Sequence, residues 1–144
     1  PTSARDAVDR TTELMLAPER TGWDTQGVEA IERFAEELPT WHELDDADWC
    51  ARFAYQNIER RGTGGGAFRR LYADFLAQVE ADVDVPAGSA DRLHGIADDW
   101  TALAGTLKEA SEADAPERKR LFERAGEEAS KLADRERAFF EALD

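Results

Sequence analysis

An all-α fold in a single domain is the prediction for this chain. Three observations carry it. Apolar residues recur at spacings of three and four along most of the length, no segment sustains the strict alternation of a half-buried strand, and β-branched residues are few. At 144 residues the chain suits one domain, and a compact fold of that size buries roughly 68–70% of the surface its unfolded chain exposes. Neither an internal repeat nor a low-complexity tract divides it. The expected architecture over residues 1–144 is therefore an irregular bundle of about six helices joined by short loops.

Ala4, Ala7, Val8, Thr11, Leu14 and Met15 form the first amphipathic stripe, with Pro18 expected to stop it. Val28, Ile31, Phe34, Ala35 and Leu38 form the second, expected to end at Pro39. Trp49, Cys50, Phe53, Ala54, Asn57 and Ile58 form the third. Asp45 or Asp46 is its expected N-cap, because a side-chain oxygen there can accept an orphan backbone N–H. After a glycine run, Phe68, Leu71, Tyr72, Phe75, Leu76 and Val79 make the most regular stripe in the chain. Val85-Pro86-Ala87-Gly88 reads as a connector and Ser89 as the next N-cap. Leu93, Ile96, Ala97, Trp100, Leu103, Ala104 and Leu107 line a fifth helix. Pro116 suits the first turn of the last helix, where its missing N–H would be unpaired anyway. Leu121, Phe122, Ala125, Leu132, Phe139, Phe140 and Leu143 carry that helix to the end.

Four Trp, seven Phe and two Tyr argue against disorder. Thirty-two acids against eighteen bases leave a net charge of −14. Such a field repels nucleic acid and anionic membranes, so neither is an expected partner. Lys occurs only at Lys108, Lys119 and Lys131, so the other fifteen bases are Arg. An acidic, Lys-poor surface fits a salt-saturated cytoplasm, where self-repulsion is screened. A GC-rich genome also replaces Lys by Arg, and the halophilic reading is preferred. Cys50 stands alone, which rules out an internal disulfide and fits a reducing compartment. No apolar run approaches the length of a membrane span and no signal peptide is visible, so a cytoplasmic location is expected. The opening at Pro1, without Met, is read as that of a piece of something longer.

The segment from Glu59 to Arg70 is the most informative part of the chain. Four of the ten glycines fall at Gly62, Gly64, Gly65 and Gly66, and four Arg stand against one Glu. A glycine loop opening a helix leaves backbone N–H groups at the positive end of the helix dipole, where phosphates and carboxylates bind readily. One reading is an anion-binding loop built from Arg61, Gly62, Thr63, Gly64, Gly65, Gly66 and Arg69, with Arg61 or Arg69 as the charged clamp. It is not a P-loop, since the Lys-Ser/Thr pair and the preceding strand are missing. The other reading is structural: two helices cross closely, glycines allow the approach, and the arginines pair with neighbouring acids.

The remaining candidates read as parts of the scaffold. His42 lies among Glu43, Asp45, Asp46 and Asp48, and His94 has Asp91 and Asp98 at helical spacing. The Glu-x-x-His motifs of a di-iron bundle are missing, and neither a metal nor another cofactor is expected. Cys50 falls in an apolar stripe without a His in its helix, which suggests core packing. Glu136 lies between Leu132 and Phe139, either as a buried partner for a loop arginine or on the stripe's edge; the edge is preferred. Trp49 and Trp100 read as core, whereas Trp23 and Trp41 flank loops and stay open as a stacking platform for a sugar or base. No catalytic constellation can be assembled from these residues.

The run from Trp49 to Leu76 resembles the uncharacterised helical domain found C-terminal to the catalytic domain in the butirosin-biosynthesis protein H family. Ala54-Tyr55-Gln56, Ile58-Glu59, Arg61-Gly62-Thr63-Gly64-Gly65-Gly66, Phe68-Arg69, Tyr72 and Phe75-Leu76 carry the likeness. Gly27-Val28-Glu29-Ala30 with Leu38 and Trp41, and later Trp100 and Glu136, are similar to further landmarks of that family. The resemblance implies a papain-like N-terminal domain in the parent protein, and an activity that moves an acyl chain from a carrier protein to an aminoglycoside amine. Nothing here resembles that N-terminal domain, so its Cys and His do not map to Cys50, His42 or His94.

The expectation is an accessory helical domain of an acyltransferase- or papain-like protein, whose Gly/Arg-rich loop helps to form a substrate, anion or carrier-protein site. Its partners on that reading are its own N-terminal domain, an acyl-carrier protein or a second copy of itself. The alternative is a structural or dimerisation module with no ligand of its own.

Overall fold

The computed structural model describes residues 2–17, 27–60 and 65–143. They form six α-helices and no strand: α1 (Thr2–Leu16), α2 (Gly27–Glu37), α3 (Ala47–Tyr55), α4 (Gly65–Val79), α5 (Ser89–Glu112) and α6 (Ala115–Leu143). A 3₁₀ segment, Leu38–Glu43, continues α2, and a π-helical turn, Gln56–Arg60, continues α3. The expected all-helical single domain is what the chain adopts.

Helices α5 and α6 are the spine. Only Ala113 and Asp114 separate them, so they pack as an antiparallel pair. The reversal is closed by polar groups. Arg118 of α6 donates from Nε to the Ala110 carbonyl at 2.9 Å and from Nη2 to the Ala113 carbonyl at 2.6 Å, satisfying the end of α5. Asp114 accepts the Glu117 N–H at 3.0 Å and caps α6, with Pro116 in the first turn as expected. Helices α3 and α4 lie on α5, whereas α1, α2 and the 3₁₀ segment lie on α6.

The apolar positions expected of α5 and α6 are all buried. Phe122, Phe139, Phe140, Leu93, Leu103, Leu107 and Leu132 are the largest apolar side chains sealed from solvent there. Trp41 closes one end of the core, its ring edge-to-face with Phe34 at 5.6 Å and with Phe122 at 5.9 Å. It is therefore a packing residue, whereas Trp23 lies outside the described residues.

The second helix ends at Glu37, as Pro39 leads one to expect, and the chain goes on as the 3₁₀ segment with Pro39 in its first turn, where its missing N–H costs nothing. Two local expectations are corrected, at Ser89 and at Asp46. Ser89 is the first residue of α5 rather than its cap. Gly88, at φ 82°, reverses the chain, Ser89 donates to the Pro86 carbonyl, and the Ala90 N–H is taken by the Glu80 carboxylate at 3.0 Å. Asp46 is the N-cap residue of α3, yet its side chain makes no capping bond and instead accepts from the Cys50 thiol at 3.7 Å.

The largest correction concerns α3. Its buried residues are Ala47 and Ala51, followed by Ile58 in the π-turn, while Trp49 is 59% exposed and stacks on the exposed Phe53. Cys50, expected in the core, is only half-buried and turns its thiol to the Asp46 carboxylate. Small residues face α5 because close helix approach leaves no room for an indole. Periodicity cannot distinguish the alanine face from the aromatic face, since both repeat every three or four residues.

Candidate functional site

The candidate site is the corner where the chain leaves the π-turn after α3 and starts α4. Of its expected members, Arg61, Gly62, Thr63 and Gly64 lie outside the described residues. Gly65 and Gly66 open α4. A Cβ on Gly66 would stand 2.7 Å from Glu59 Oε1 but 3.4 Å from the Ala97 carbonyl and Trp100 Cβ of α5, so glycine here leaves room for the Glu59 carboxylate.

Arg69, one turn into α4, points inward. Its Nε and Nη2 donate to the two oxygens of Glu136 on α6 at 2.6 and 2.8 Å, a bidentate ion pair. Glu136 is 0% exposed, and its Oε1 also accepts from the Trp100 indole N–H of α5 at 2.9 Å. The Arg69 guanidinium lies 4.9 Å from the Trp100 ring centroid and 5.3 Å from that of Phe68. Three helices thus meet at one carboxylate. Of the two readings of Glu136, the buried partner holds and the edge position does not. A carboxylate at zero exposure needs donors for both oxygens, and Arg69 with Trp100 supplies them.

A second, more exposed network lies beside the first. Arg70 donates to Asp98 at 3.2 Å and to the Thr101 hydroxyl at 2.6 Å, and Thr101 bonds Glu59 Oε1 at 2.9 Å. Arg69 and Arg70 are both engaged by the protein's own acids, so the charge they bring to the corner is already neutralised. Among the described residues, what the corner leaves for an anion is the backbone amides at the start of α4, while Arg61 lies outside them.

The other candidates are placed elsewhere. His94 Nε2 is 3.4 Å from Asp74 on α4, not beside Asp91 or Asp98 alone as its own helix would suggest. No group of three His, Cys, Asp or Glu among the described residues could hold a metal ion. Burial, followed by the charges of Asp46 and Asp48, pushes the Cys50 thiol above its ordinary pKa, which disfavours the nucleophilic thiolate.

The arrangement defines a small all-helical domain knotted at one corner by a desolvated Arg–Glu–Trp contact. The chain belongs to the family described as Domain of unknown function (DUF4872), whose family model matches residues 1–143. No curated protein and no solved structure matches it. Among the described residues no helix is long and apolar enough to cross a membrane.

Proposed function

We propose that this domain is the helical accessory part of a butirosin-biosynthesis protein H-like acyltransferase or papain-like protein, working in a cytoplasm rich in salt. On this reading it presents the corner between α3 and α4 to the substrate or carrier-protein site of the domain it accompanies. The observation that carries the proposal is the buried Arg69–Glu136–Trp100 contact. Burying an ion pair is a poor way to gain stability, because desolvation offsets most of the Coulomb attraction. It is a good way to fix geometry, and what it fixes here is the first turn of α4 against both spine helices. A glycine-rich corner needs such a hold, since glycine by itself leaves the backbone free.

A titration of the whole chain with phosphate, coenzyme A and acyl-carrier protein, followed by amide NMR, tests the ligand role. Shifts at Gly64–Phe68 are expected. Their absence with all three removes the ligand role and leaves the corner purely structural.

The second reading, a dimerisation module, is favoured by the apolar groups left in solvent: the Trp49–Phe53 stack, and Leu71 at 65% exposure. It predicts a defined dimer by light scattering at high salt, where charge repulsion is screened. A monomer there rejects it.

A further inference from the structure

The groove between the end of α3 and the last turns of α5 differs from the rest of this acidic surface. It has a volume of about 270 Å³ and is lined by Arg52, Tyr55, Gln56, Lys108, Ser111 and Glu112. Among the described residues Arg5, Arg69, Arg70, Arg120, Arg135 and Arg137 each meet a carboxylate. Arg52 and Lys108 face one groove and pair with no described carboxylate.

Lys108 is held by other means. Its Nζ lies 5.7 Å from the Tyr55 ring centroid, a cation–π contact that keeps the ammonium over the groove. Glu112, one turn along α5, forms no ion pair with Lys108 or Arg52 although it lines the same groove. Ser111 turns its hydroxyl to the Lys108 carbonyl at 2.6 Å and offers no free donor. Gln56 adds a carboxamide at the start of the π-turn, a distortion that recurs at functional sites.

We propose that this groove is a binding site for a small oxyanion, a carboxylate or a phosphate. Arg52 and Lys108 supply the charge, Gln56 supplies a neutral donor, and the nearby Glu112 carboxylate opposes the ligand by like-charge repulsion. Although Gln56 opens the π-turn that leads to the corner at α4, the groove's cations are not those of the corner, and this reading does not rest on it.

The test titrates the full chain with inorganic phosphate and, separately, with acetate. Chloride holds the ionic strength constant, because general screening also relaxes an acidic protein. Saturable NMR shifts are expected at Arg52, Gln56 and Lys108. Lys108→Met, an exposed position whose fold is checked by circular dichroism, should weaken binding by about tenfold, the worth of one charge-assisted hydrogen bond. Glu112→Gln should tighten it. A response to acetate alone assigns a carboxylate, and one to phosphate alone assigns a phosphate. Overturning results are no saturable response to either anion, a response indifferent to Lys108→Met, or weaker binding in Glu112→Gln.

Discussion

Helix α4 has two apolar faces, and they meet different fates. The inner face carries Tyr72, Ala73 and Leu76, all buried, with Arg69 set among them on its fully buried carboxylate. The outer face carries Phe68 and Leu71, which stay exposed although they belong to the same regular stripe. A charged residue is thus inside and a leucine outside on one helix. The difference teaches that burial here follows partner availability more than side-chain polarity. Arg69 meets Glu136 and Trp100, which satisfy it, whereas Leu71 lines an open groove beside Ala7 and Thr11 of α1 and stays largely in solvent.

The sharpest way to break that contrast is to strand the buried charge. Glu136→Ala should cost about 3–5 kcal/mol, read from urea unfolding, because Arg69 is then buried without a counter-ion. The double variant Arg69→Met with Glu136→Leu should regain most of that loss. If the single change costs under about 1 kcal/mol, the pair is not desolvated as described.

The two leucines of α4 give the next comparison. Leu76→Ala should cost about 2–5 kcal/mol, the usual toll of a cavity in a packed core. Leu71→Asp should stay within about 0.5 kcal/mol, as a surface change does. Equal losses would mean that the outer face is covered in solution.

A third comparison sets Gly66 against Gly126. A Cβ on Gly126 would lie 2.7 Å from Pro39 Cγ and 3.1 Å from the Ala35 carbonyl, a rigid ring and a backbone atom. At Gly66 the closest atom is the end of the mobile Glu59 side chain. Gly126→Ala should therefore cost about 1–3 kcal/mol by overpacking, and Gly66→Ala under about 1 kcal/mol, helped by alanine's helix propensity. Thermal unfolding of the pair decides the order.

The smallest effect concerns Cys50. Burial and the charges of Asp46 and Asp48 raise its pKa, so at neutral pH less thiolate is present than in a free cysteine. Alkylation should run slower than for a model thiol at the same pH and accelerate as pH rises past the ordinary thiol range. The sign for stability is the same: a raised folded pKa stabilises below the unfolded value, and the contribution fades as pH climbs through the folded one. Alkylation faster than the model thiol at pH 7 contradicts this.

Much of the site was readable in part. The glycine run and its arginines marked the corner, and the Glu between Leu132 and Phe139 was visible as an oddity on an apolar face. Which arginine it would meet was not readable, because Arg69 and Glu136 are 67 residues apart and their meeting depends on how α4 lands on the spine. Arg52 and Lys108 carried no signal at all, since each is an ordinary surface cation until α3 and α5 bring them to one groove.

Chain chemistry alone settled the helical class, the extents of α5 and α6 and the acidic exterior, because helix periodicity, capping and charge are local properties. The assembly decided the rotation of α3 and α4 about their axes, the closeness permitted by Gly126, and the pairing of Arg69 with Glu136. The physical reason is degeneracy: a spacing of three and four fixes that a face exists, and only the neighbour packed against it selects which face is buried.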